Sequence, residues 1–389
     1  VPTHPELLDY LAVKFVEGGW SIKKLHRMIM TSATYRQAVA DNAEARAVDP
    51  ENLLLWRMNR RRLDIESLRD AMLAATGRLE RDGGGPPFSL LAQPFVPRRS
   101  VYGFIERGRV PAMLSAFDFA SPDQHAPMRH VTTVPQQALF FLNSPFVAEQ
   151  ARQLTARAEA GSPEERIQLL YRYALGRKAA PWEVEAGLRF LTQTKAKPEA
   201  PAAPSAWSYG TGSPDAFRPF STFDADRWQG AAALPAAQSG KALLRATGGE
   251  PGEGSDQAVI RRWTSPAEGT VVIEGTLRHA QPAVPFGDGV RARIVSSRHG
   301  ELASWIANGT TAETKLGGVK VEAGDTIDFL VDSRQDPEND GFNWAPQIKL
   351  GEQTWNAKED FAGPAVKPLA AWERYAQVLF ETIEFAFVD

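Results

Sequence analysis

KAKPEAPAAPSA, residues 195–206, is the stretch on which the fold turns. Proline and alanine alternate with charge, and no apolar residue larger than alanine anchors the run, so it reads as an extended, solvated spacer between domains. The chain changes texture across it. Before it, apolar residues recur at helical spacing; after it, short runs alternate apolar and polar residues between Gly, Pro and Asp turns. The 389 residues are enough for two domains with separate cores. Charge divides at the same place. Residues 1–195 carry 26 Lys+Arg against 21 Asp+Glu, a balance of +5, while residues 207–356 carry 14 against 19, a balance of −5.

Going back from the spacer, Thr3 and Glu6 stand at capping-box spacing with Pro5 between them, and Leu7, Leu8, Leu11, Ala12 and Phe15 form one face up to Gly18-Gly19. Ser21 can cap a second helix carrying Ile22, Leu25, Met28 and Ile29; Asp64 can cap a third carrying Ile65, Leu68, Met72 and Leu73. Gly83-Gly84-Gly85-Pro86-Pro87 makes a loop. Helices are expected over residues 135–158 and 163–175, with an extension after Pro181.

Going forward, strands are expected at 258–263, 270–277, 290–295 and 326–331, with turns at Gly287-Asp288-Gly289 and Ala323-Gly324-Asp325. Several short strands at this spacing indicate an antiparallel sandwich. Residues 370–384 turn helical again, with Trp372, Tyr375, Ala376, Leu379 and Ile383 on one face. That helix fits the first domain better than a sandwich, so the sheet reads as an insertion near the end of a helical domain. The expected architecture is α+β multidomain: a mainly helical domain over 1–195, a linker over 196–206, a jelly-roll-like antiparallel β-sandwich over 207–356, and a helix at 366–389 returning to the first domain.

Composition removes several function classes. There is no cysteine, which excludes disulfides, thiolate metal sites and covalent c-type haem attachment within this chain. The net charge of −3 lacks the clustered basic face of a nucleic-acid binder. No apolar run approaches the roughly 18 residues of a spanning helix. The opening Val1-Pro2-Thr3 has no Met and no signal-like stretch, and a helix begins at once, so the chain is expected to start inside a longer protein.

Thr3-His4-Pro5-Glu6-Leu7-Leu8-Asp9, Leu25-His26-Arg27 and Thr31-Ser32-Ala33-Thr34-Tyr35-Arg36-Gln37 come in that order along the chain. Leu55-Trp56-Arg57, Arg60-Arg61-Arg62-Leu63-Asp64, Arg98-Arg99-Ser100-Val101-Tyr102, Phe117-Asp118-Phe119 and Thr132-Thr133-Val134-Pro135-Gln136-Gln137-Ala138-Leu139 follow them. With these motifs the chain resembles a planctomycete-specific domain of unknown function, of the cytochrome-c-associated secreted type. The closing Glu384-Phe385-Ala386-Phe387-Val388-Asp389 resembles that family's final Asn-Glu-Phe stretch, with Ile383 where the Asn would stand. The resemblance implies a periplasmic or secreted protein, and a haem-bearing cytochrome-c-like module upstream as partner. No cofactor would then lie in this chain. The middle segment, with its Arg261-Arg262-Trp263 strand, is similar in general appearance to carbohydrate-binding sandwich modules.

The densest candidate site lies in RRSVYGFIERGRVPAMLSAFDFASPDQHAPMRHVTTVPQQALFFLNS, residues 98–144. Asp118, His125, Arg129 and His130 are the residue types of a hydrolase, an Asp–His general base with an arginine holding an anionic group. The favoured reading is that the same residues form ion pairs that fix a non-helical crossing of the chain, and a pocket for a small anion is a third. Arg98, Arg99 and Gln136 could hold a ligand, or satisfy loop carbonyls. Trp56 with Arg57, Arg60, Arg61 and Arg62 has the composition of a stacking strip, but Asp64 and Glu66 follow at once. Asp336, Glu338, Asp340 and Gly341 have the spacing of a calcium loop, yet Gln347 holds the twelfth position and Pro337 and Pro346 interrupt, so a solvated acidic turn is expected. Asp224 and Asp226 are as weak a cation candidate. His279 and His299 stand far in sequence from other ligands, and no metal site is expected at either. Of the sandwich tryptophans Trp228, Trp263, Trp305, Trp344 and Trp355, the two beside turns, Trp305 and Trp344, are the expected sugar-stacking platforms. The function expected is a non-catalytic binding and scaffold unit whose sandwich contacts glycan. The alternative is a hydrolase of polysaccharide or ester using Asp118, His125 and Arg129.

Overall fold

Pro5, Pro135, Pro145, Pro163 and Pro181 each open a helix in the computed structural model. Each sits where a first-turn N–H would have no intrahelical acceptor, so its missing donor is harmless there. The structure describes residues 2–108, 110–193, 205–232, 234–280, 288–336, 338–365 and 367–388. Most of the expected linker, Gly287 of one expected turn and Asp389 of the closing stretch lie outside those residues. The chain divides into two compact units.

The helical unit comprises Val1–Gly77, Pro111–Gln193 and Trp372–Asp389. Its helices are α1 (Pro5–Glu17), α2 (Ile22–Met30), α3 (Ala43–Val48), α4 (Ile65–Ala75), α5 (Ala112–Ala116), α6 (Pro135–Asn143), α7 (Pro145–Arg157), α8 (Pro163–Leu175), α9 (Pro181–Gln193), α10 (Ala371–Glu381) and α11 (Ile383–Ala386). Ser21 caps α2 through the Lys24 N–H at 3.4 Å, and Asp64 caps α4 through the Ser67 N–H at 2.7 Å. The expected Thr3 cap is absent: His4 takes the N-cap position, and Thr3 contacts the His4 ring instead. The expected helix over 135–158 is two helices, because Pro145 has no N–H to continue the ladder and holds Ser144 extended. Ile383, expected on the inner face of the last helix, is exposed. Thr382 breaks that helix and caps α11 through the Phe385 N–H, which changes the phase.

The core of this unit gathers Ile65, Leu68 and Met72 of α4, Val147, Ala151 and Leu154 of α7, Ile167 and Leu170 of α8, and Ala376, Leu379 and Phe380 of α10. The C-terminal stretch is fastened by three further links. Strand β1 (Arg61–Arg62) pairs antiparallel with β20 (Phe387–Val388), Gln377 donates to the Phe141 carbonyl at 2.7 Å, and Gly187 on α9 gives Tyr375 room that a Cβ would occupy. By contrast, α1 and α2 contain no buried residue.

The sheet unit comprises Arg78–Val110 and Thr194–Ala371. The first of these pieces departs from the expected boundary at residue 195. Its strand β2 (Ala92–Gln93) joins the edge of a sheet by pairing with Thr222–Asp224, and Ser89 donates to Asp224 at 2.6 Å. In chain order the strands continue as β3 (Trp207–Gly212), β4 (Arg218–Pro219), β5 (Thr222–Asp224), β6 (Arg227–Gln229), β7 (Leu243–Arg245) and β8 (Gly248–Glu250). Next come β9 (Ala258–Thr264), β10 (Gly269–Glu274), β11 (Thr276–His279), β12 (Val290–Ser296), β13 (Gly300–Ala307) and β14 (Thr311–Glu313). The last are β15 (Leu316–Val321), β16 (Thr326–Asp332), β17 (Phe342–Asn343), β18 (Gln347–Leu350) and β19 (Gln353–Asn356).

Three antiparallel sheets result, ordered β13-β12-β16-β9-β3-β4, β15-β10-β18-β19 and β14-β11-β17-β8-β7-β6-β5-β2. Their inner faces share one core through Val259 and Trp263, Ala292 and Ile294, Ile327 and Phe329, and Val271, Ile273 and Ile348. Along β12 burial alternates strictly, the period-2 signature of a half-covered strand. The outer face of the first sheet carries an Arg–Asp ladder. Arg262 forks onto Asp328 directly opposite it at 2.7 and 2.8 Å, and Arg291 and Arg293 both reach Asp332. Arg261, one residue along, points inward and is buried. It donates to the carbonyls of Ala357, Gly248 and Arg245, and burial pulls its pKa down to about 10.

Candidate functional site

The run expected as one strand over 270–277 is broken at Gly275. Its first part, β10, lies in the four-stranded sheet and its second, β11, in the eight-stranded one. The chain makes the same change of sheet between β17 and β18, across Trp344 to Pro346. Where these two strand pairs part, a cleft of about 540 Å³ opens. Glu274, Thr276, Glu313, Lys315, Asn343 and Gln347 surround it, with Trp344, Thr247 and Asn356 completing the wall.

A small hydrogen-bond core fixes the floor. Trp344 donates from Nε1 to Thr314 Oγ1 at 2.9 Å, and Thr314 donates from both its N–H and its hydroxyl to the Gly275 carbonyl at 2.8 and 2.9 Å. A Cβ at Gly275 would stand 3.1 Å from that hydroxyl and 3.2 Å from the indole nitrogen, so the crossing point is kept to glycine by close approach. Around the floor the polar groups are arranged by charge. Glu274 is approached by Lys315 at 3.2 Å and by Lys349 at 3.7 Å, and hydrogen bonding to Lys315 holds its carboxyl below the ordinary range. Thr276 donates to Glu313 at 3.1 Å. Among the described residues, the side-chain amides of Asn343 and Gln347 have no hydrogen-bond partner. The cleft therefore offers carboxylate acceptors, an ammonium donor and two free amides around a rigid floor.

The residues singled out from sequence are distributed differently. Trp344 is 2% exposed and meets Phe329 edge to face at 5.5 Å; its ring is a core element, not a platform. Trp305 lies half-buried on β13, packed on the sandwich core, while its neighbour Ile306 takes the outward side. Sequence position next to a turn does not fix the parity of a strand, and parity decides which face a ring takes. Trp228, Trp263 and Trp355 are likewise in or against that core.

In the helical unit, Asp118 adopts φ +60° and is gripped from three sides. Arg62 donates to it at 2.6 Å, and the Thr132 N–H and hydroxyl donate at 2.9 and 2.7 Å. Burial works to raise its pKa, but the Thr132 bonds, the Arg62 charge and His130 outweigh this and hold it below the ordinary range. Arg129 is committed elsewhere, forked onto Glu66 at 2.8 and 2.9 Å. His125 is exposed, and among the described residues no hydrogen bond joins it to Asp118 or Arg129. His130 is exposed as well. These four do not assemble an acid–base pair in a cleft.

Gln136 is exposed at the start of α6, whereas its neighbour Gln137 is buried and donates to the Ala116 and Thr132 carbonyls at 2.8 and 3.1 Å. In the sheet unit, Arg98 donates to the carbonyls of Pro86 and Gly84 and lies over the Phe88 and Tyr102 rings, clamping the Gly-rich loop; Arg99 is exposed. Asp224 is buried between Ser89 and Arg227. The ring of polar groups at the cleft was not singled out from sequence. Its nearest signal is Asn343, within the same Gly-Phe-Asn-Trp turn as Trp344.

No curated protein matches the chain. Among solved structures it is similar to the C-terminal CBM6 of LamC from Zobellia galactanivorans, at 20% identity over 24% of this chain and 73% of that one, TM-score 0.16. A carbohydrate binding module of family 29 is similar at 14% identity over 41% and 94%, TM-score 0.20, and rabbit GITRL at 15% over 26% and 76%, TM-score 0.18. Residues 1–191, which carry the ordered motifs from Thr3 to Leu139, match the family model described as PSD1, protein of unknown function (DUF1553).

Proposed function

We propose that the sheet unit is a non-catalytic glycan-binding module, and that the helical unit is the scaffold that carries it. The observation that supports this is the cleft beside Gly275, where free amides of Asn343 and Gln347 stand among Glu274, Thr276, Glu313 and Lys315. A sugar ring presents hydroxyls that each donate and accept. Amides, carboxylates and an ammonium on a fixed floor can satisfy several of them at once, and Asn343 and Gln347 do so without giving up an internal bond. Recognition here is by hydrogen bonding at strand ends, with no tryptophan face presented to the ligand.

The setting proposed for this module is a periplasmic or secreted protein of the planctomycete cytochrome-associated type, with haem held by a module outside this chain. That part rests on the ordered motifs of the helical unit. The hydrolase alternative has no comparable support, because Asp118 and Arg129 are spent in separate ion pairs.

A glycan-array screen of the full chain, followed by calorimetry on any hit, tests the proposal. Asn343→Ala and Gln347→Ala should each weaken binding about tenfold, roughly 1.4 kcal/mol, with unchanged melting temperature. Trp305→Ala should leave affinity intact. A folded chain that binds no glycan, or binding indifferent to Asn343 and Gln347, refutes the cleft.

A further inference from the structure

The expected solvated turn at 336–341 is not solvated at its end: Asp340 is fully buried, and neither of its carboxylate oxygens has a hydrogen-bond partner. A carboxylate taken out of water without donors is strongly unfavourable, and proteins resolve it by protonation, pairing or coordination. Burial pushes the Asp340 pKa up to about 7 against the pull of Lys241, and the carboxylates of Asp288, Asp336 and Glu250 push the same way. Lys241 is not free to neutralise it alone, being bridged to Glu250 at 3.3 Å.

The turn is held so that Asp340 cannot swing out. The Ala280 N–H donates to the Gly341 carbonyl at 2.7 Å. On the other flank, His279 accepts the Gly309 N–H on Nδ1 at 3.0 Å, which leaves Nε2 as the protonated nitrogen donating to the Asn339 carbonyl at 2.7 Å. Both ring nitrogens are thereby used, so His279 offers no free nitrogen to a cation. Asp336 accepts the Glu338 N–H on Oδ1 at 3.0 Å and, among the described residues, keeps Oδ2 unbound, while Asp288 accepts the Gln335 and Asp336 N–H groups at 3.3 Å and pairs with Arg334 at 3.6 Å.

We propose that Asp340 and Asp336, with Asp288 behind them, hold a calcium ion that ties these two residues to the start of β12. A carboxylate-rich set suits a hard divalent cation. Calcium fits better than magnesium, because it accepts six to eight oxygens in irregular geometry and takes backbone carbonyls and water readily. Among the described residues no three acidic side chains already converge on one point, so binding requires Asp336 to turn its free oxygen toward Asp340.

The test is calorimetric titration of the chelator-treated full chain with calcium chloride, and separately with magnesium chloride. The wild-type chain should take up one calcium per chain, with magnesium at least tenfold weaker. Asp340→Asn, which keeps the shape and removes the charge, and Asp336→Asn should each weaken calcium at least tenfold. A folded wild-type chain that takes up no calcium overturns the proposal, as does Asp340→Asn binding with wild-type affinity. Should Asp340→Asn fail to fold, Asp336→Asn decides: a tenfold loss supports the site and unchanged affinity overturns it.

Discussion

Arg177 and Glu384 are 207 residues apart and joined by two parallel bonds, Nε to Oε1 at 2.5 Å and Nη2 to Oε2 at 2.6 Å. The same guanidinium forks onto Glu183 at 2.7 Å with both its terminal nitrogens. One arginine in the turn after α8 thus fastens the start of α9 and the C-terminal stretch together. Arg177→Ala should leave Glu183 buried without its cation and lower the stability of the helical unit by about 1–3 kcal/mol. Arg177→Lys should recover only part of this, since an ammonium cannot reproduce two forks. Thermal unfolding followed by helical circular dichroism measures both.

Acid should loosen the same junction. The Arg177 bonds, opposed by burial and helped by the Ala180 N–H, hold the Glu183 carboxyl below its ordinary value. A depressed folded pKa adds stability that is complete above the unfolded value, about 4.3, and is lost as pH falls through the folded one. Stability of the helical unit should therefore decline below about pH 4, and Glu183→Gln should flatten that decline while lowering stability at pH 7. Denaturant melts between pH 2.5 and 7 would show a parallel decline in both proteins if Glu183 contributed nothing.

Arg261 predicts the opposite kind of sensitivity. It is a buried guanidinium whose described partners are carbonyls, those of Ala357, Gly248 and Arg245. Arg261→Ala would strand three acceptors and leave a void, a loss of about 3 kcal/mol or more in the sheet unit. Arg262→Ala, on the outer face one residue later, would leave the buried Asp328 carboxylate without its cation, and should cost a comparable amount through that unpaired charge instead of through lost carbonyl bonds. Comparing the two melting temperatures is the check.

The α1–α2 hairpin should be the least protected helical segment. It buries no residue, and Leu8, Val13, Val16, Trp20 and Ile22 are all exposed. Its inner side borders an apolar cavity of about 470 Å³, lined by Leu7, Leu11, Met28, Ile29, Leu55 and Met58 among others. Helices of 13 and 9 residues have little stability of their own without a packed face. Backbone amides of α1 and α2 should exchange with deuterium at least a hundredfold faster than those of α7, where Val147, Ala151 and Leu154 are fully buried. Equal protection in mass-spectrometric exchange would contradict this.

What the sequence disclosed, and what it hid, follows from how local each signal is. Ser21 and Asp64 announced their helices because a cap acts within three residues, and the alternation of β12 needs only its own side chains. Residues 78–110 gave no sign of joining the sheet unit, since β2 is two residues long and its pairing with β5 spans more than a hundred positions. Trp344 and Trp305 stand beside turns, a local cue for outward rings, whereas their faces are decided by register across β12, β16 and the core. The cleft was invisible for a similar reason. Its wall comes from the ends of six strands that meet only because β10 and β17 each hand the chain to a different sheet. Nothing local marks Asp340 as buried, since acidic turns are usually solvated and burial is a tertiary property.

The interrupted layout of the helical unit sets an order on its birth. Helix α9 ends at Gln193 and the unit resumes only at Trp372. At a synthesis rate of about 5–20 residues per second, roughly 10–35 s pass between the emergence of α9 and of α10. Throughout that interval Thr155, Phe190 and the Phe141 carbonyl wait on the nascent chain for Trp372, Tyr375 and Gln377. The later-made sandwich strands can be complete before the helical unit, begun first, is able to close.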